Sequence, residues 1–293
     1  VAYYPKPFWK IAAAGLQARL CRRQRRLAIF AGAGELPRLA VETALRANLD
    51  FILYAIAEAE LDARLTADNR LRKRSVSLGA IGQTLEYLRE DKITHVVLLG
   101  KVEKQRLLQD VVRDAAAEEI YKSAQDHRDD TLFLKFAALL RALGIKILKQ
   151  KELLPGCFLP RGIQTRKKPE TRTLLEDIEF GYEMSRRVGS LDIGQTAVVF
   201  EKMILAVEAI EGTDAAIRRA GEIARHQGGV VCKRAKASQD PRFDLPAVGL
   251  RTLDTMAESG MQALVIEAAQ TLVVNPAAFV AHADELGLIV IAR

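Results

Sequence analysis

The sequence predicts a two-domain α/β protein, and three observations carry that reading. Short apolar runs of strand length alternate with helical stretches through the first half. The first of those runs leads into a glycine turn and then a helix. A break rich in proline, glycine and basic residues divides the 293 residues near position 160. A chain of that length exceeds what one core usually serves. Strands alternating with helices imply a mostly parallel sheet covered on both faces. The composition, 49% hydrophobic and 28% charged, is that of an ordinary globular protein. No apolar run approaches the ~20 residues that span a bilayer.

Residues 1–26 carry seven basic residues and no acid, which equals the net charge of the whole chain, +7. The remaining body is therefore neutral, and the basic balance argues nothing for nucleic-acid binding. Trp9, Ala13, Leu16 and Leu20 fall near helical spacing, with arginines following. A basic helix resting on an anionic membrane surface and an unstructured extension both fit. A signal peptide does not, because the charge follows the apolar segment.

Leu27–Ala31 is a buried-strand run, followed by Gly32-Ala33-Gly34-Glu35-Leu36-Pro37 and a helix over 36–47. Strand, glycine turn and helix aim backbone N–H groups at a phosphate. The third glycine of a dinucleotide fingerprint is missing, since Pro37 stands there, and Glu58 is a weak candidate for a ribose acid. Further strands are expected at Phe51–Ile56, 75–78, 94–99 and 145–148, with helices at 81–89, 110–117 and 130–143. Gly100-Lys101 closes one strand, where a glycine lets a ligand approach and the lysine can pair a phosphate. The stretch 154–172 reads as a linker. The expected units are a tail, 1–26, a Rossmann-like domain, 27–160, and a second α/β domain of mixed strand order, 161–293.

The second domain opens with a helix over 169–188. Thr196–Phe200 and Met203–Val207 form a hairpin joined around Glu201-Lys202. A helix over 215–225, a strand over 229–233 and a helix over 253–259 follow. Ala263–Ile266 is a strand and 271–274 a short extended run. Asn275-Pro276 starts a helix, with Asn as N-cap and Pro at the first turn. A strand over 288–291 ends the chain. Cys21, Cys157 and Cys232 lie far apart, and neither C-x-x-C nor H-E-x-x-H occurs, which reads as a reducing compartment without a zinc site. His95 and His282 are expected to be structural.

The chemistry concentrates in 208–244. Glu208-Ala-Ile-Glu211-Gly-Thr213-Asp214 follows one strand, and Lys233-Arg-Ala-Lys236-Ala-Ser-Gln239-Asp240-Pro-Arg242-Phe-Asp244 follows another. Carboxylates and basic groups at strand ends suit a metal ion with a phosphorylated ligand. Taken one at a time, the same residues read as solvated loop charges and helix caps.

Read with Leu191-Asp-Ile-Gly-Gln195, Ala206–Asp214 and Arg242-Phe-Asp-Leu-Pro246, the chain resembles the UDP-2,3-diacylglucosamine pyrophosphatases of the LpxI type, from lipid A biosynthesis. The opening Ala31–Pro37 stretch, Gly100-Lys-Val102, Asp129-Asp130 and Ala283-Asp284 fit as well, so the resemblance spans about 26–293. It implies hydrolysis of UDP-2,3-diacylglucosamine to UMP and 2,3-diacylglucosamine 1-phosphate, with water attacking the α-phosphate and a divalent metal, Mg2+ or Mn2+. It implies a substrate cleft between two domains and makes Asp244 the essential carboxylate. Asp244, Asp214 and Glu211 are the candidate metal ligands. Gly32, Ala33, Gly34, Leu36, Gly100, Lys101, Asp130, Gln195, Thr213, Lys236, Gln239 and Arg242 are the candidate substrate contacts, Arg242 as a bidentate fork. A cytoplasmic homodimer touching the inner membrane is expected. Departures include Arg128 where the family has glycine, and Lys236-Ala-Ser-Gln-Asp240 where it has Lys-Pro-x-Gln-Asp. A nicotinamide-dependent oxidoreductase is the competing enzyme reading, and a non-catalytic nucleotide-sugar or lipid binder the third.

Overall fold

The computed structural model describes residues 25–57, 59–100, 113–123, 129–236 and 239–293. They fall into two compact units that divide between Pro155 and Gly156. The first holds strands β1 (Leu27–Ala31), β2 (Phe51–Ile56), β3 (Lys73–Val76), β4 (His95–Leu99) and β5 (Lys146–Ile147). Its helices are α1 (Leu36–Arg46), α2 (Ala63–Ala67), α3 (Ile81–Glu90), α4 (Ala115–Ser123), α5 (Asp129–Ala142) and α6 (Gln150–Leu153). The sheet is parallel throughout, in the order β3-β2-β1-β4-β5. β1 sits at its centre and is buried along its whole length, so an unbroken apolar run was the right signature.

Two expectations in this unit shift. The edge strand β3 lies two residues earlier than the expected 75–78, because Lys73 pairs with Leu53 and a turn begins at Ser77, whose Oγ accepts from Gly79 N (3.1 Å). Of the helix expected over 110–117, residues 110–112 lie outside the described residues, and α4 begins at Ala115. Asp114 explains the start: its Oδ1 accepts from Ala117 N (2.8 Å) and its Oδ2 from Gly82 N (2.7 Å), so one carboxylate caps both α4 and α3.

The second unit contains β6 (Gly162–Ile163), α7 (Arg172–Ser190), β7 (Thr196–Phe200), β8 (Met203–Val207), α8 (Thr213–Ile223), β9 (Val230–Lys233), β10 (Ala247–Val248), α9 (Leu250–Glu258), β11 (Ala263–Ile266), β12 (Leu272–Val273), α10 (Pro276–Glu285) and β13 (Ile289–Ala292). The main sheet runs β6-β13-β11-β9-β7-β8, and β10 and β12 form a small parallel pair. β9, β11 and β13 are parallel to one another. β7 runs against both β9 and β8, giving the mixed order expected. Alternate residues serve two cores, as a pleat requires. Val231, Leu264 and Val290 pack under α8, α9 and α10, and Cys232, Val265 and Ile291 pack under α7.

The linker expectation needs correction. Leu159 is 2% exposed within the second core, β6 pairs with β13, and Thr165 Oγ1 accepts from Val290 N at 3.0 Å. Proline and glycine marked the turns there and hid a hydrogen-bonded, exposed edge strand. Cys157 and Cys232 are buried free thiols; burial pushes Cys157 up to about 11 and Cys232 higher still. Cys21 and Glu58 lie outside the described residues.

The β7–β8 hairpin turns on Glu201 (φ 49°) and Lys202 (φ 59°), the left-handed pair of a two-residue turn, with no glycine to ease it. Buried Asp177 on α7 holds the turn, accepting from Glu201 N at 2.8 Å and Lys202 N at 2.7 Å. Asp177→Ala is expected to destabilise the fold by about 2 kcal/mol, two backbone donors losing a charged acceptor. Chemical denaturation checks this.

His95 is buried against Thr94, and burial lowers its pKa, as suits a structural histidine. His282 on α10 lies 2.6 Å from Asp254 Oδ1 and 3.5 Å from Glu285 Oε2, and Asp254 is the main cause of its raised pKa. A histidine raised on folding stabilises fully below its unfolded value, about 6.5, and that gain is lost as pH rises through the folded value. The Tm gap between wild type and His282→Gln should therefore be widest below about pH 6.5 and shrink as the pH rises above that value.

Candidate functional site

In the first unit the chain turns away to β2 on one side of β1 and to β4 on the other, so the ends of β1 and β4 form the topological switch point of the sheet. Gly32 N donates to Leu99 O at 2.8 Å, tying the two strand ends together. Gly100 has φ 87°, and a Cβ there would sit 2.6 Å from the Gly32 carbonyl carbon. Only glycine fits. Gly32, Ala33, Gly34 and Gly100 therefore come together at the place where such sheets bind ligands, with Leu36 opening α1 beside them. Pro37 sits buried in the first turn of α1, where its missing N–H costs nothing. Lys101 lies outside the described residues, and Asp130 falls in the first turn of α5.

In the second unit, topology gathers four loops at one edge. β8, β9 and β11 all run the same way, so their carboxyl ends share that edge with the loop that enters the antiparallel β7. The loops are 191–195, 208–212, the segment after β9 and 267–271. Gly194 lets the first meet the second: a Cβ on it would lie 1.8 Å from Glu208 O. Lys236 Nζ meets Asp192 Oδ1 at 2.8 Å, joining the first loop to the third. Glu267 joins the fourth, accepting from Arg234 Nη2 at 3.2 Å and Ala235 N at 3.3 Å.

Behind these loops runs a polar chain that the candidate residues from the sequence included only through Thr213. Lys233, closing β9, is 6% exposed, and its Nζ donates to Thr213 Oγ1 at 2.6 Å. Thr213 Oγ1 donates in turn to Glu208 Oε1 at 2.8 Å. Glu208 Oε2 is buried and has no hydrogen-bond partner among the described residues. The readable signal was positional: an acid directly after one strand and a lysine closing the next parallel strand. The chain also changes the part assigned to Thr213. Its single hydroxyl proton is spent on Glu208, so it has none to donate to a phosphate.

The other candidates divide between engaged and open groups. Arg242 turns its fork back onto Asp240 (Nε–Oδ1 2.9 Å) within a tight turn, in which Asp240 O accepts from Asp244 N at 3.0 Å. It does not stand open as the bidentate phosphate clamp expected, because a partner two residues away is always in reach. Asp240 accordingly raises its pKa. Glu211 is paired with Arg219 at 2.8 Å, and Asp214, in the first turn of α8, with Arg251 at 3.0 Å. Among the described residues no three histidine, cysteine or acidic side chains form a metal-holding group, so Glu211, Asp214 and Asp244 do not gather as one. Lys236 N donates to Gln239 Oε1 at 3.0 Å, while Gln239 Nε2 is buried without a partner among the described residues. The half-buried Asp244 carboxylate makes no hydrogen bond or ion pair with any described residue, and the Gln195 side chain makes none either.

Two family models cover almost the entire chain: the LpxI N-terminal domain over residues 26–157 and the LpxI C-terminal domain over 160–291. A curated relative, UDP-2,3-diacylglucosamine pyrophosphatase LpxI of Caulobacter vibrioides, is 34% identical over 280 residues, covering 91% of this chain and 97% of the relative. The chain belongs to the LpxI family. The two LpxI domain matches follow the two compact units closely. The chain carries the 191–195 and 208–214 motifs on loops that touch. Neither the nicotinamide oxidoreductase nor the non-catalytic binder is favoured by these matches. No helix among the described residues is long and apolar enough to cross a membrane.

Proposed function

We propose that this protein hydrolyses UDP-2,3-diacylglucosamine to UMP and 2,3-diacylglucosamine 1-phosphate, as a step of lipid A biosynthesis in a Gram-negative cell. The relative's name supports the substrate. The structural observation that carries the reading is the open Asp244 carboxylate beside a loop edge rich in committed ion pairs. Water oxygen bonds to the α-phosphorus, the bond from that phosphorus to the bridging oxygen breaks, and the sugar 1-phosphate leaves.

The residues present fit a divalent cation. Mg2+ takes one or two carboxylates with substrate oxygens and water rather than a full protein cage. Asp244, unpaired among the described residues, matches that need and is the residue that would hold the ion. When bound, Mg2+ or Mn2+ neutralises diphosphate charge. Gln239 Nε2 and the Gln195 amide are the open donors for phosphate or sugar oxygens. In the first unit, backbone at Gly34 beside Gly100 is the proposed phosphate contact, since Gly32 N is already committed to Leu99 O.

We place the protein in the cytoplasm as a homodimer that meets its lipid substrate at the inner-membrane surface. Release of UMP from the lipid-linked nucleotide sugar, lost with EDTA and restored by added Mg2+ or Mn2+, tests the activity and the ion together. Activity that survives EDTA would remove the ion from the account.

A further inference from the structure

Glu208 is held as a catalytic base is held. One carboxylate oxygen is fixed by a hydroxyl, that hydroxyl is fixed by a buried ammonium, and the second oxygen is buried without a partner among the described residues. A buried carboxylate oxygen left unpaired is costly and calls for an explanation. A carboxylate only accepts hydrogen bonds, so its open oxygen cannot face a phosphate directly and needs a donor. Water at the phosphorus is such a donor. The Lys233 charge offsets that of Glu208, so an anionic diphosphate is not driven from the site. Base, orienting hydroxyl and fixed charge repeat the general arrangement of an oriented base.

We propose that Glu208 is the base for the attacking water, with Lys233 as a positioning residue that acts on it through Thr213. The inference rests on the hydrolytic reading above. As the water oxygen bonds to the α-phosphorus, its proton passes to Glu208 Oε2. The electrons of the broken bond leave on the bridging oxygen of the sugar 1-phosphate. Asp244 stays as the charge-bearing carboxylate, so the two acids have different work.

The test is steady-state UMP release from UDP-2,3-diacylglucosamine with Mg2+, with melting temperatures confirming that each variant folds. Glu208→Gln keeps shape and is expected to lose kcat by roughly 10²- to 10⁴-fold. Formate should restore part of the rate to Glu208→Ala and none to Glu208→Gln. Thr213→Val is expected to lower kcat roughly 10- to 100-fold with little change in KM, and Thr213→Ser to recover most of that loss. Lys233→Met should match Thr213→Val, and the double variant should be no worse than either, because one chain is cut in two places. A Glu208→Gln variant within about 3-fold of wild type overturns the inference and leaves the hydrolysis standing. So do losses in KM alone, or additive losses at Thr213 and Lys233. Absence of turnover by folded wild type overturns both.

Discussion

Asp244→Asn is expected to lower kcat/KM for UMP release by about 10³-fold or more, roughly 4 kcal/mol of transition-state stabilisation. Its stability should stay within about 0.5 kcal/mol of wild type. Both halves follow from one observation. The Asp244 carboxylate makes no hydrogen bond or ion pair with a described residue, so the fold loses nothing when it is neutralised. A carboxylate with no partner among the described residues is a candidate for holding a ligand. Kinetics beside a thermal melt check the prediction. A variant that loses activity and stability together would assign Asp244 to the loop framework instead.

Gly194→Ala is expected to cost about 3 kcal/mol or more, beyond ordinary overpacking because the obstacle is backbone. The new methyl would stand 1.8 Å from Glu208 O and 2.8 Å from its carbonyl carbon, so the 191–195 loop must withdraw. Withdrawal strains the bond from Glu208 N to Thr196 O, 2.9 Å, that starts the strand pairing of β7 and β8. It also draws Asp192 away from Lys236. The melting temperature should fall by about 6 to 12 °C, and kcat should drop with it because Glu208 is displaced. An unchanged melting temperature would mean that the two loops do not touch.

Much of the fold was legible because its longer strands are unbroken apolar runs. β1, β2 and β11, buried in parallel pairings, and β7 and β8, an antiparallel hairpin, were expected at the bounds they have. Two of the two-residue strands were not legible: β6 and β10 exist through their pairing with β13 and β12, whereas β5 and β12 fall inside the apolar runs expected over 145–148 and 271–274. The edge strand β3 was displaced because Lys73-Arg74-Ser75 is polar, and an edge shows only one face to the core.

The site was legible at the level of loops and not of bonds. Strand ends with clustered charge pointed to 208–244, and topology does collect those loops on one edge. Which acid meets which base is decided by ångströms. Arg242 chose Asp240, Glu211 chose Arg219 and Asp214 chose Arg251, so three groups expected to face a ligand are paired within the protein. Lys233 read as the polar end of a strand, whereas burial makes it the anchor of a hydrogen-bonded chain. The hairpin turn at Glu201-Lys202 was found from strand spacing alone, and its support by Asp177, 24 residues earlier on another element, was not.

Hydrolysis at the α-phosphate, dependent on Asp244, is most directly tested by phosphorus NMR of UDP-2,3-diacylglucosamine turned over in oxygen-18 water with Mg2+, wild type beside Asp244→Asn. The expected result is UMP carrying the heavy oxygen, unlabelled 2,3-diacylglucosamine 1-phosphate, and neither product from the variant. Label on the sugar phosphate would place the attack on the other phosphorus. Undiminished turnover by Asp244→Asn would remove Asp244 from the chemistry.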